Sequence, residues 1–351
     1  MGLGFGEAAP YFAGDTAANP RFQFSSVAGR FVLLGFAPPN GAPVALDMFQ
    51  RRRARFDDIN LVCFIVAGDQ ATIAQAVDET PGLRWFRDPS GAIAEAYGEA
   101  PDSGRWLLLD PTLRVIAALP WGSADALLEQ IDALPAPDLH SGADIHAPVL
   151  IVPRIFEPDI CQRLIAHYDA VGGARSGVMR NIDGKTVGVI DNFKSRRDAD
   201  VTDEAFRQQL RIRLARRLVP EIKKAFQFDV TRMERYIVAC YDAGEGGYFR
   251  PHRDNTTPGT AHRRFAVTIN LNAGDYDGGD LRFPEFGSRA YRAPTGGAVV
   301  FSCSLLHEAL PVTRGRRYAF LPFLYDEAGA QIRIANQATI VNEAQPAEVD
   351  G

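Results

Sequence analysis

In YIVACYDAGEGGYFRPHRD, residues 236–254, a strand-like alternation runs into a glycine-rich turn and then into His252 and Asp254, one residue apart. In an extended segment alternate side chains point the same way, so this imidazole and this carboxylate can converge on one ion. A lone His-x-Asp says little. His307 adds weight to it, closing VVFSCSLLH, another strand-like run far downstream. Two imidazoles and one carboxylate can hold one face of an octahedral ion and leave the opposite positions open, the donor set of non-haem Fe(II) centres.

A 2-oxo acid chelating such an ion needs a cation for its far carboxylate. Arg317, ten residues beyond His307 on the returning strand, offers a rigid bidentate fork. Arg316 is its adjacent rival, and strand alternation lets only one of the two point inward. Tyr241 can donate a hydroxyl to the same carboxylate. Arg250 and Arg253 flank the His-x-Asp pair and are candidate substrate contacts. Arg282, after a glycine turn, reads equally as a substrate contact or as half of a surface ion pair. Asn255 and Asn270 read either as polar support for the site or as ordinary loop and sheet residues.

These residues need a frame. FEPDICQRLIAHYDAVG has an early proline and helical spacing, and Phe206, Leu210, Leu214, Leu218, Ile222 and Phe226 recur every four residues across 203–227. Pro220 is expected to kink or divide that helix. VGVIDNFKSRRDADV reads as a hairpin leading into a charged loop. RYIVACY, RFAVTINL, DLRF, GGAVVFSCSLL and RRYAFLPFLY read as strands of a sandwich or barrel, separated by Gly/Asn/Asp turns. IRIANQATIV is expected to add an edge strand before a polar tail.

Together, YDAGEGGYFRPHRDN, INLNAGDYDGGDLRF and LLHEALPVTRGRRYAF resemble the Fe(II)/2-oxoglutarate-dependent dioxygenases, nearest the prolyl 4-hydroxylase-like group. The resemblance covers about residues 150–326 and implies a double-stranded β-helix, or jelly roll, with flanking helices. It implies that His252, Asp254 and His307 hold Fe(II) and that Arg317 and Tyr241 place 2-oxoglutarate. The implied reaction hydroxylates a substrate with dioxygen while 2-oxoglutarate is decarboxylated to succinate, with ascorbate as an accessory reductant. A prolyl or other peptidyl residue is the substrate suggested, and a small molecule stays open.

The first part of the chain reads differently. RFVLLGFA, INLVCFIVAG, LRWFRDP and RWLLLDPTLRVIAALP are strands without clean alternation, separated by helical stretches, which argues for an α/β sheet covered on both faces. Over about residues 5–135 this order resembles the peroxiredoxin/thioredoxin-like fold. The segment that would carry the family's reactive cysteine, APPNGAPVALDMF, has none, and Cys63 lies inside a strand. The expected layout is therefore a catalytically silent thioredoxin-like domain at 1–138 and a linker at 139–149. A dioxygenase domain at 150–326 and an extension at 327–351 follow. Docking of proteins or homo-oligomerisation is the role expected of the first domain. The basic run Arg51, Arg52, Arg53 and Arg55 reads as a solvated helix face or an anion patch.

Bulk properties bound the rest. With 351 residues, two domains fit comfortably, and 46% apolar with 23% charged residues suits a folded chain. A net charge of -5 makes no general case for nucleic acid. Four cysteines without a CxxC pair read as buried thiols in a reducing, cytoplasmic setting, and no signal peptide or membrane span is read. Two alternatives stand beside the dioxygenase. One is a non-enzymatic scaffold or sensor binding iron and 2-oxoglutarate, the other a thiol-redox enzyme using Cys63.

Overall fold

The computed structural model describes residues 2–100, 102 and 104–341. Two compact units divide the chain: Met1–Ala147 with Pro284–Ser288, and Pro148–Phe283 with Arg289–Gly351.

In the first unit β1 (Ala13–Gly14) and β2 (Phe22–Gln23) form a short ribbon. Five further strands, β3 (Phe31–Ala37), β4 (Leu61–Ala67), β5 (Leu83–Arg87), β6 (Arg105–Leu109) and β7 (Val115–Pro120), make one sheet in the order β5-β4-β3-β6-β7. The first three run parallel, and β6 is antiparallel to both its neighbours. The helices are α1 (Ala42–Arg51), α2 (Gln70–Ala74), α3 (Ala92–Ala96) and α4 (Ala124–Asp132). Every residue of β4 is buried, which is why its sequence shows a continuous apolar run instead of alternation. Arg51, the last residue of α1, and Arg52 pair with Asp125 and Asp132 at the two ends of α4, so these two members of the basic run are matched by carboxylates.

In the second unit, β8 (Leu150–Val152) and α5 (Pro158–Val171) lead in, followed by β9 (Ala174–Arg175) and the hairpin β10 (Val178–Ile182) and β11 (Lys185–Val189). Next come β12 (Lys194–Ser195), β13 (Arg197–Asp200), α6 (Glu204–Arg217), α7 (Val219–Phe226) and β14 (Arg232–Glu234). The strands that matter most are β15 (Ile237–Asp242), β16 (Tyr248–His252), β17 (Phe265–Asn270) and β18 (Asp277–Gly278). After them run β19 (Leu281–Arg282), β20 (Ala290–Tyr291), β21 (Ala298–Ser302) and β22 (His307–Ala309). The unit closes with β23 (Val312–Arg314), β24 (Arg316–Phe320), β25 (Phe323–Tyr325) and α8 (Glu327–Ala335).

Apart from the separate pairs β10-β11 and β18-β23, these strands form two antiparallel sheets. The larger is ordered β14-β25-β17-β24-β15-β13-β9, with β21 and β8 attached through β17, and the smaller is ordered β12-β16-β22-β19-β20. From β15 onward the chain passes repeatedly between them: β15, β17, β21 and β24 lie in the large sheet, β16, β19, β20 and β22 in the small one. That alternation is a jelly roll. Period-2 alternation sorts β15 between two environments. Val238 and Cys240 join the core built with α5, α6 and α7, whereas Ala239 and Tyr241 pack with Phe249 and Ala309 of the small sheet. The helical core positions Phe206, Leu210, Leu214, Leu218 and Ile222 are all buried, and Pro220 sits at the start of α7, where its missing N–H costs nothing.

Two sequence expectations fail. The stretch after the hairpin is not a charged loop. β12 joins the small sheet and β13 the large one, with Lys194 and Arg196 buried, because a strand between two sheets must bury whatever its inward positions carry. The segment IRIANQATIV is not an edge strand either. Asp326 caps α8 by accepting from the Gly329 N–H at 2.8 Å, and the helix runs through Ala335 before a single 3-10 turn at Gln337–Thr339. The polar tail expected beyond residue 341 lies outside the described residues. Among the described residues no helix is long and apolar enough to cross a membrane.

Because Leu210 is fully enclosed in the core between α6 and the large sheet, Leu210→Ala is expected to cost about 2–5 kcal/mol in urea unfolding. Arg216→Ala on the exposed face of the same helix is expected to stay within about 0.5 kcal/mol.

Candidate metal centre

His252 ends β16 and His307 begins β22, and the two residues are direct cross-strand partners. Their rings lie 4.3 Å apart between centroids. Asp254 follows β16, and its N–H donates to the Cys303 carbonyl at 2.9 Å, which ties the His-x-Asp turn to the end of β21. Its two carboxylate oxygens meet the two histidines, Oδ1 at 3.5 Å from His252 Nε2 and Oδ2 at 3.3 Å from His307 Nε2. All three ligand-type atoms lie within 4.8 Å of one another.

The tautomers follow from the neighbours. His252 Nδ1 lies 2.8 Å from the Arg250 carbonyl and His307 Nδ1 lies 3.0 Å from the Leu305 carbonyl. A carbonyl only accepts, so each Nδ1 carries a proton, and each Nε2 is the ring atom turned toward Asp254 and placed to ligate. Burial, reinforced by His307, holds the His252 imidazolium down to about 4. Burial works against ionisation of Asp254, but His307 and His252 hold its carboxyl well below the usual carboxylate range. Neutral imidazoles beside an ionised carboxylate are the forms that ligate a cation, so the donor set fits a divalent metal. Apolar rings close around it: Phe249 stacks on His252 with centroids 3.5 Å apart, and Phe301 lies 4.5 Å from His307.

A narrow cleft lies between the same two sheets, lined by Thr268, Asn270, Tyr276, Leu281 and Arg317 among others. Arg317 is 3% exposed, and its Nε and Nη1 have no hydrogen-bond partner. The Tyr276 hydroxyl and Asn270 Oδ1, in the same lining, are also buried and unpartnered. Asn270 Oδ1 is an acceptor, but the Arg317 nitrogens and the Tyr276 hydroxyl are unmatched buried donors, which are costly, and together they suit an anion. Arg316, its neighbour, faces solvent and pairs with Asp242 at 2.8 Å. Gly279 makes room for Arg317: its φ is +69°, and a Cβ there would sit 3.1 Å from Arg317 Cδ and 2.7 Å from Val312 Cγ2.

Of the other residues singled out in the sequence, Tyr241 is the register partner of Arg317, whose guanidinium carbon lies 5.0 Å from its ring centroid. The Tyr241 hydroxyl accepts from Arg196 Nη1 at 3.3 Å. Arg282 pairs with Glu308, directly across the small sheet, at 2.6 Å. Arg250 is exposed beside the Tyr248 ring, and Arg253 donates to the Ser304 carbonyl. None of these three lines the cleft. Asn255 donates to Ser304 Oγ at 2.8 Å and Asn270 to the Ala293 carbonyl at 2.7 Å. Tyr276 escaped the sequence reading, although an aromatic residue inside NAGDYDGGD, a turn of otherwise small and acidic residues, was a signal. Lys194 and Arg196 escaped it too, since nothing in their neighbours distinguishes them from surface charges.

Comparison with known proteins falls on this part of the chain. Residues 236–325 match the family described as the 2OG-Fe(II) oxygenase superfamily. A PKHD-type hydroxylase of Synechococcus sp. (strain JA-2-3B'a(2-13)) is 36% identical over 89 residues, 24% of this chain and 39% of that protein. One of Cupriavidus metallidurans is 36% identical over 95 residues, 24% of this chain and 42% of that protein. The chain thus spans about two fifths of the length of these curated relatives. The multifunctional procollagen lysine hydroxylase and glycosyltransferase of Caenorhabditis elegans is 27% identical over 171 residues, 47% of this chain and 22% of that protein. Among solved structures, a prolyl hydroxylase of Trichoplax adhaerens in complex with a peptide fragment covers 60% of this chain and 91% of its own, at 16% identity and a TM-score of 0.40. The stretch that matches this family, residues 236–325, contains His252, Asp254, His307 and Arg317.

Proposed function

We propose that the chain is an Fe(II)- and 2-oxoglutarate-dependent hydroxylase, in which His252, Asp254 and His307 hold the metal and Arg317 anchors the far carboxylate of 2-oxoglutarate. The observation that carries this reading is the pairing of two features within one jelly roll: three converging ligand atoms, and a buried arginine with two unpartnered nitrogens. Fe(II) supplies activation of dioxygen, coupled to decarboxylation of 2-oxoglutarate to succinate. The protein's share is positioning. Asp254 and the two Nε2 atoms would hold the ion. Arg317, with the Tyr276 hydroxyl beside it, fixes the end of the 2-oxo acid remote from the metal, and Tyr241 shields the guanidinium from water. Phe249 and Phe301 keep the histidines dry.

A peptidyl residue, prolyl included, is the substrate class favoured by relatives named as hydroxylases, one of them acting on procollagen lysine. We assign the first unit to the thioredoxin-like folds. The sheet order β5-β4-β3-β6-β7, with a parallel β3-α1-β4 unit followed by the β6-β7 hairpin and α4, supports this. Its chemistry is silent: Cys63 lies buried within β4, and burial pushes its thiol far above the usual range, so no thiolate is at hand for the thiol-redox alternative. All four cysteines are free and buried, in keeping with a reducing cytoplasmic setting.

Under anaerobic conditions the protein with Fe(II) and 2-oxoglutarate is expected to show the weak visible charge-transfer band of the chelate. His252→Ala loses it, and Arg317→Ala needs roughly 100-fold more 2-oxoglutarate to reach it. An iron-loaded native protein without the band sinks the assignment, and a band without any substrate-coupled turnover returns the scaffold or sensor reading. Gly279→Ala, at its positive φ, is expected to cost about 1–3 kcal/mol in denaturant unfolding. By pressing on Arg317 it weakens 2-oxoglutarate more than Fe(II), whereas equal weakening of both would place the anchor elsewhere.

A further inference from the structure

The small sheet ends at β12, the edge strand beside the one that carries His252. Lys194 on that strand is 7% exposed, and its Nζ lies 4.9 Å from the centroid of the Phe249 ring, the ring that stacks on His252. Nζ donates to Ser176 Oγ at 2.8 Å and to the Gly177 carbonyl. An ammonium has three N–H groups, so one is left without an oxygen acceptor. No carboxylate among the described residues lies within ion-pair range of it. Arg196, 8% exposed, converges on the same hydroxyl, with Nη2 3.2 Å from Ser176 Oγ, and its Nε is buried without a partner.

The cluster is short of negative charge. Asp198 receives Arg196 at 2.7 Å and Arg235 at 3.5 Å, so three cations share one carboxylate and two positive charges remain inside the unit. The other carboxylate whose field reaches Lys194 and Arg235 is Asp254, which the metal centre uses. A ferrous ion with Asp254, Arg317 and dianionic 2-oxoglutarate sums to zero, so nothing there offsets the excess. Buried charge of this kind is unfavourable unless a counter-ion arrives. Burial and the nearby Arg196 already press the Lys194 ammonium well below its ordinary range, as an uncompensated cation requires.

We infer that Lys194 and Arg196 form a carboxylate-binding subsite for the substrate to be hydroxylated, which makes that substrate acidic near the reacting position. The inference rests on the oxygenase reading above. Ser176 Oγ is itself spent, donating to Asp198, so an incoming carboxylate would instead accept from the remaining Lys194 N–H and from Arg196 Nε–H and cancel part of the excess charge. The same groups would then hold the substrate beside Phe249 and His252.

The test uses the full chain loaded anaerobically with Fe(II) and 2-oxoglutarate, so that Arg317 is occupied before any probe is added. Affinity is measured for the blocked peptides acetyl-Ala-Glu-Pro-Ala-amide and acetyl-Ala-Gln-Pro-Ala-amide, and for propionate as a free small acid. The expected result is at least a tenfold preference for the Glu peptide over the Gln peptide, or binding of propionate, falling to twofold or less in Lys194→Met. Binding of the peptide without propionate assigns a peptidyl carboxylate, binding of propionate alone a small acid, and either supports the subsite. Without probe, Lys194→Met is expected to melt about 3 °C higher than the native protein, since it removes an unmatched buried charge. Lys194→Gln serves as a second neutral variant for the affinity ratio. Equal affinity for the two peptides, a preference that survives in both variants, no binding of any acidic probe, or a lower melting temperature of Lys194→Met overturns the inference. Failure of the oxygenase reading itself shows separately, as absence of the charge-transfer band before any probe is added.

Discussion

The antiparallel register of β16 against β22 is the constraint on which the site depends. It places His252 opposite His307, although the residues are 55 apart in the chain. A slip of one residue would turn one imidazole to the other face of the small sheet and dissolve the trio. The register shifts between Phe249 and His252, so the strand is irregular just where it must aim a ligand. The bond from the Asp254 N–H to the Cys303 carbonyl then fixes the third donor to the large sheet. The candidate metal centre is thus a property of two sheets held in place by the helices behind them.

Stability and function draw on different parts of the second unit. The core between the large sheet and α5, α6 and α7 is apolar and closely filled, from Leu164 through Leu210 to Phe320. The space between the sheets contains Arg317, Tyr276 and Asn270 with unmatched polar atoms, and Lys194 with Arg196 and Arg235 around a single carboxylate. Each unmatched buried group costs on the order of 1–3 kcal/mol. A fold that keeps several of them in one region is organised for ligands there and stabilised elsewhere.

Much of this was legible in the sequence, for identifiable reasons. His252 and Asp254 share a side because an extended chain repeats every two residues, and the same rule separated buried Arg317 from exposed Arg316. The fourfold spacing from Phe206 to Ile222 marked the helices that brace the large sheet. What stayed hidden depended on tertiary context. Lys194 and Arg196 belong to residue types that are almost always solvated, and only the passage of β12 and β13 between two sheets buries them. Tyr276 is a turn residue whose direction is set by the turn as a whole. The apparent alternation of IRIANQATIV gave way to a helix because Asp326 supplies a cap ahead of it.

The two histidines orient themselves by bonding to main-chain carbonyls two residues earlier, Arg250 and Leu305. Every amino acid carries that carbonyl, so the tautomer and the aim of each ring do not depend on which side chain stands at either position. Arg250, exposed at the rim, is therefore free to change identity while the metal donors keep their geometry. In evolutionary terms the centre is insulated from its own border. A lineage can remodel the surface around these three side chains without first rebuilding their convergence.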